Sequence, residues 1–209
     1  SPLLKLSLNF LILENSKFLN YCIMNEIAII SPSVRKGRNS HRIALYFNEL
    51  IKANSLGIPR IIDLLEYNFP LFHERLKFQE SPSTAALDFA EKIRSADGVI
   101  IILPEYNGGY PASLKNATDL LTTEWRRKPV VFVSVSDGPF GGTQSVTSML
   151  FSLWKAGALT IPATLRLPYI QREFDASGKP ADRAVTDKRS SNLVKELLWY
   201  IEAKKRMDQ

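Results

Sequence analysis

The chain has 209 residues, 45% of them apolar, which suits one domain with a full core and leaves too little for two comfortable ones. One cysteine (Cys22) and two histidines (His41 and His73) without HExxH or related spacing exclude a disulfide framework and a cysteine metal cluster, and argue against a histidine metal site. The net charge of +6 is carried by dispersed lysines and arginines, apart from Arg126-Arg127-Lys128 and Lys204-Lys205-Arg206, a pattern that favours an anionic small ligand over nucleic acid.

Residues 1–23 look foreign to the rest. Apolar patches at Leu3-Leu4 and residues 10–13 are interrupted by Asn9, Glu14, Asn15 and Lys17, and no run reaches membrane-spanning length. Lys5 and a short apolar core resemble a signal segment, yet no small-residue cleavage site follows. The expectation is a leader or extension over 1–23 and a single domain over 24–209, without membrane insertion.

From Met24 strands and helices alternate. Residues 26–31 (EIAIIS) read as strand one, and Asn39 or Ser40 caps a helix with Ile43, Phe47, Leu50 and Ile51 on one face. Strand two falls at 59–65, helix two at 84–95 and strand three at 98–103. Helix three runs from about Pro111 to Trp125, and strand four covers 129–134. Helix four starts near Thr143 and uses Val146, Met149, Leu150 and Leu153. Strand five lies at 163–167, and a last helix runs from about Ala181 to Lys204. Such alternation predicts an α/β fold with a doubly wound parallel sheet.

Three loops at strand carboxyl ends, where open α/β sheets bind ligands, carry the candidate chemistry. The first, residues 31–40, leads into a helix amino end, which attracts phosphate through free N–H groups and the dipole. Ser33, Asn39 and Ser40 supply neutral donors there, and Arg35 a bidentate cationic one. The second, Pro104-Glu105-Tyr106-Asn107-Gly108-Gly109, follows the unbroken apolar run 99–103; its glycines let backbone amides approach a flat ligand. Behind it Leu114, Ala117, Thr118 and Leu121 mark one buried helical face, with Pro111 near the first turn. The third, residues 134–142, is rich in small residues, with Phe140 either capping a pocket or filling core. Neither a Walker A sequence nor a G-x-S-x-G elbow is present, against triphosphatase and serine-hydrolase chemistry.

PEYNGGYPASLKNATDLL, from Pro104, resembles the PEYNGS-x-P-x-x-LKNAID signature of the NADPH-dependent FMN reductase family. The likeness extends over about residues 26–167. The first loop is similar to that family's G-S-x-R-x-x-S phosphate loop, with Pro32 in place of the glycine and a longer step from Arg35 to Ser40. The third is similar to its S-x-x-G-x-x-G-G segment, and Gly109 stands where serine or alanine is usual. The resemblance implies a flavodoxin-like five-stranded sheet of order 2-1-3-4-5 and bound FMN, with NADPH or NADH as electron donor. It further implies a quinone, flavin, azo compound or metal oxyanion as acceptor, a homodimer or homotetramer, and a cytoplasmic enzyme. In that family hydride moves directly to the flavin and no protein base is required, so the resemblance makes Glu105 an orienting or structural group.

Carried over residue by residue, Ser33 and Arg35 hold phosphate, while Arg38, Asn39, Ser40 and His41 compete for the remaining contacts. Pro104, Glu105, Tyr106, Asn107 and Gly108 line the ring edge, with Ser136 and Gly138 from the third loop. A flavodoxin-type electron carrier and a non-catalytic module of the same fold are the alternative readings.

Overall fold

The computed structural model describes residues 24–208; residues 1–23, with Cys22 and the expected leader, lie outside them. Five parallel strands form one sheet: β1 (Glu26–Ser31), β2 (Ile58–Asp63), β3 (Gly98–Pro104), β4 (Pro129–Val135) and β5 (Leu159–Leu167), in the order β2-β1-β3-β4-β5. This is the doubly wound, flavodoxin-like arrangement. β3 and β4 are buried at every position, as central parallel strands with helices on both faces require.

Alternation along the strands divides the core. Ile27, Ile29, Ile100, Ile102, Val131 and Val133 point to the face covered by helices α1 (Ser40–Ala53) and α7 (Arg183–Met207). Ala28, Ile30, Val99, Ile101, Val130 and Phe132 point to the other face. There they meet α3 (Thr84–Ser95), α4 (Ala112–Leu120) and α5 (Thr143–Lys155), which follow the four-residue α2 (Leu64–Tyr67); α6 (Ile170–Glu173) is equally short. Because α1 and α3 leave on opposite faces, the strand order reverses between β1 and β3, and the crevice lies there.

The expected helical face of α1 is buried at all four positions. Other boundaries differ for identifiable reasons. β2 ends at Asp63, whose carboxylate accepts the Leu65 N–H at 3.1 Å and starts α2, so Leu64 and Leu65 are helical rather than extended. Helix three stops at Leu120, and a separate 3-10 turn, Thr123–Trp125, carries Trp125 into the core with its indole N–H donating to the Thr118 carbonyl. β5 begins four residues earlier than the apolar pattern indicates, since a register shift between Val130 and Phe132 lets Leu159 and Thr160 pair as well. On α5, Met149 and Leu153 are buried and Val146 packs half-buried against the same core, as expected, whereas Leu150 is 41% exposed and Ser145 is buried instead. The last helix starts at Arg183, where Asp182 caps the Val185 N–H, and runs on to Met207.

At the sheet end opposite the crevice Lys128 is 8% exposed, and its Nζ donates to the Ala96 carbonyl and, at 3.1 Å, to that of Arg94. Burial pushes its ammonium down to about 8 from 10.5. Above pH 8 the folded chain releases this proton while the unfolded chain keeps it to near 10.5. The unfolded state then binds more protons, and stability rises with pH across that window. Relative to Lys128→Met, the wild-type chain should gain up to about 3 kcal/mol between these limits in urea denaturation. A pH-independent difference would contradict the shift.

Candidate functional site

The first loop crosses the top of β1. Pro32 and Ser33 are buried, and residues 34–37 are exposed. Arg38 reaches back under the loop, donating to the Ser33 carbonyl at 2.7 Å and, through both ends of its guanidinium, to the two carboxylate oxygens of Asp63. These side chains are 13% and 6% exposed. Burial alone pushes the Asp63 carboxyl up, but the Arg38 hydrogen bonds and charge outweigh it and hold the group below its usual range. His41 stands in the same cluster, with Nδ1 3.0 Å from Ser31 Oγ and 3.4 Å from Asp63. Burial lowers its pKa against the pull of Asp63.

The second loop is a tight hairpin. Asn107 (φ 52°) and Gly108 (φ 79°) both adopt left-handed backbone, and Tyr106 and Gly109 exchange N–H···O bonds of 2.8 and 3.1 Å. An Asn-Gly pair suits this type I′ geometry because both central residues tolerate positive φ. The turn is fixed to the first loop. Tyr106 OH lies 2.6 Å from Ser33 Oγ, the Arg35 guanidinium sits 5.2 Å over the Tyr106 ring, and Ser113 Oγ donates to the Pro32 carbonyl. A side chain at Gly109 would have the Tyr106 carbonyl as its nearest neighbour, at 3.8 Å, so the serine or alanine usual there would fit.

Pro104 closes β3 and is buried. Glu105 turns towards α5, where its Oε2 accepts the Gln144 backbone N–H at 2.9 Å, a carboxylate placed at a helix amino end. That is a structural contact rather than the placement of a free base. In the third loop Ser136 Oγ donates to the Gly138 carbonyl at 2.8 Å, and the Ser136 backbone bonds Leu167 and Ile170. Phe140 is 84% exposed, which settles its two readings against core filling.

The fold thus brings Ser33, Arg35, Tyr106, Asn107 and Gly108 together at the crevice, with the Ser136 and Gly138 loop on the next strand. Asn39 occupies the N-cap position of α1 but makes no side-chain cap bond, and Ser40 is the first, buried helical residue. His41 turns its Nδ1 towards Ser31 and Asp63. Arg38 likewise serves the loop itself. Asp63 was not foreseen; a lone acid at a strand's carboxyl end was the available signal.

The donor set suits a phosphate carrying a flat ring. Ser40 Oγ and Ser134 Oγ are buried without a hydrogen-bond partner among the described residues, one at the amino end of α1 and the other beneath the third loop. Phosphate oxygens would satisfy Ser40 and the N–H groups of the first turn. Among the described residues no group of three or more His, Cys, Asp or Glu is placed to hold a metal, and no helix is long and apolar enough to cross a membrane.

A doubly wound sheet of order β2-β1-β3-β4-β5, with hydroxyl donors, a guanidinium and a glycine turn at its crevice, defines a flavodoxin-like protein. Residues 25–171 match the family described as NADPH-dependent FMN reductase, and the chain belongs to it. It is 34% identical over 122 residues to a quinone reductase of Pseudomonas putida, covering 56% of this chain and 62% of that protein. It is also 26% identical over 177 residues to an NADPH azoreductase of Bacillus sp., covering 84% and 92%. The chain spans less than two thirds of the length of the first curated relatives it matches. Among solved structures it resembles FerB, a flavoenzyme NAD(P)H:(acceptor) oxidoreductase from Paracoccus denitrificans. The TM-score is 0.69 and the identity 22%, over 85% of this chain and 98% of that one, a likeness of fold.

Proposed function

We propose that this chain is an NAD(P)H-dependent, FMN-containing oxidoreductase that reduces a quinone, a flavin, an azo compound or a metal oxyanion. The observation that carries the reading is the 2.6 Å contact between Ser33 and Tyr106, which joins the phosphate loop to the glycine turn and so makes one site of two loops. Family membership and the quinone reductase and azoreductase relatives support it. Bound FMN supplies the two-electron chemistry; the chain's part is to bind and orient it.

Arg35 and the first turn of α1, with Ser40 and Asn39, hold the phosphate. The Asn107-Gly108 turn flanks the ring on one side, and Ser136 and Gly138 on the other. The family's self-association is proposed here through the loop after α2, where Leu71 (87% exposed) and Phe78 (61%) offer apolar surface. The single cysteine suits a cytoplasmic setting.

Arg35 is exposed and pairs with the Tyr106 ring, so its role is separable from folding. Arg35→Ala should weaken FMN binding about tenfold or more, as loss of a charge-assisted phosphate contact does, with urea stability within about 0.5 kcal/mol of wild type. FMN fluorescence titration measures this, and unchanged affinity would remove Arg35 from the phosphate site.

A further inference from the structure

Beside the third loop a cleft of about 560 Å³ opens between Glu105 and the carboxyl end of β5. Arg166 and Arg189 line it together with Phe140, Thr143 and Gln144. Arg166 pairs in register with Ser134, and its neighbours Leu165 and Leu167 face the α1/α7 core, so alternation sends Arg166 to the α5 face. Its stem packs on the loop: a Cβ at Gly141 would stand 3.1 Å from Arg166 Cβ. Arg189 arrives from α7, round the sheet edge, and donates to the Arg166 carbonyl at 3.1 Å.

Two guanidinium groups therefore share one cleft, and they repel unless an anion joins them. The carboxylate lining the cleft, Glu105, is engaged by the Gln144 N–H. The ion pairs of this part of the chain, Arg172–Glu173 and Arg183–Asp187, use other cations. One N–H of Arg189 is committed, whereas a guanidinium fork carries five donors matched to an oxyanion. Phe140, exposed on the rim, adds a flat apolar plate. Cations beside an aromatic plate select an aromatic ring system bearing a phosphate or sulfonate.

We propose that this cleft is an oxyanion subsite for the adenosine 2′-phosphate of NADPH, held by Arg166 and Arg189 with the adenine over Phe140. The inference rests on the reductase reading. Glu105 and the third loop belong to both places, so one extended dinucleotide can reach from the ring site into the cleft. A sulfonated aromatic acceptor presents the same chemistry and is the other possible source of the anion.

The test is calorimetric titration of the full chain with adenosine 2′,5′-bisphosphate, with 5′-AMP and with anthraquinone-2-sulfonate. Wild type, Arg166→Gln, Arg189→Gln and the double variant are compared, with circular dichroism to confirm folding. Wild type should bind the bisphosphate at least about tenfold tighter than 5′-AMP, and the variants should lose that preference. KM for NADPH should rise by a similar factor while KM for NADH stays. Equal binding of the two nucleotides by wild type overturns the proposal whether or not the variants fold. So does a preference that survives both substitutions, or a loss confined to the sulfonated quinone, which would give the cleft to the acceptor. Nucleotide binding needs neither FMN nor turnover. A chain that shows the preference but does not oxidise NADPH sinks the reductase reading alone; turnover without the preference sinks the subsite alone.

Discussion

Arg38→Ala is expected to destabilise the chain by about 3–5 kcal/mol, because it strands the Asp63 carboxylate in a site that is 6% exposed. The intact pair need not be stabilising against an apolar replacement; the large cost comes from leaving one charge without its partner. Arg38 also donates to the Ser33 carbonyl, and Ser33 is the residue that meets Tyr106. Loss of the clamp should therefore loosen FMN along with the fold, unlike Arg35→Ala, which should affect FMN alone. The double variant Arg38→Ala/Asp63→Asn removes the stranded charge yet keeps an oxygen for the Leu65 N–H. Urea denaturation should show it recovering a substantial part of the loss. If the double variant is no more stable than Arg38→Ala, the buried-charge account is wrong.

Gly142→Ala is the second substitution with a large expected effect. Gly142 sits at φ 72°, and a Cβ there would lie 2.8 Å from the Val135 carbonyl oxygen, with further Val135 backbone atoms at 3.4 Å. Left-handed backbone costs an alanine about 1–2 kcal/mol, and here the colliding atoms belong to a central strand that cannot swing aside. A total on the order of 2–4 kcal/mol is expected, with weaker FMN retention as the third loop shifts. Gly138, four residues earlier, has nothing within 4 Å of the same position, so Gly138→Ala should stay within about 0.5 kcal/mol of wild type. Thermal denaturation of the two variants side by side makes the comparison. Equal losses would mean that the loop, rather than its contact with β4, sets the cost.

The sheet was legible because its signals are local. Continuous apolar runs mark β3 and β4 as central, and the spacing of Ile43, Phe47, Leu50 and Ile51 marks the inner face of α1. The edge strands were harder: β5 is exposed or half-exposed at six of its nine positions, so only its last residues carried a strand pattern. The loop Pro104–Gly109 could be found from its glycines behind an apolar run, whereas the type I′ turn that Asn107-Gly108 makes within it was not drawn, although that dipeptide favours it.

The Arg38–Asp63 clamp could not be found in this way. Its partners are 25 residues apart on different elements, and an arginine beside a phosphate loop reads as a phosphate ligand until its counter-ion is located. The contacts of His41 escape a sequence reading for the same reason, since Ser31 and Asp63, which meet its Nδ1, come from the ends of β1 and β2. Glu105, expected as an orienting or structural group, accepts the backbone N–H of Gln144, 39 positions away, a contact that no local pattern announces.

On the proposed function, the crevice at the carboxyl ends of β1, β3 and β4 holds a flavin that NADPH reduces. The most direct measurement is the visible absorption spectrum of FMN-reconstituted, desalted protein under anaerobic conditions, before and after NADPH. Flavin bands that survive desalting and bleach promptly are the predicted result. Retained bands that NADPH leaves unchanged would favour an electron carrier, and no retained flavin would contradict the cofactor site itself.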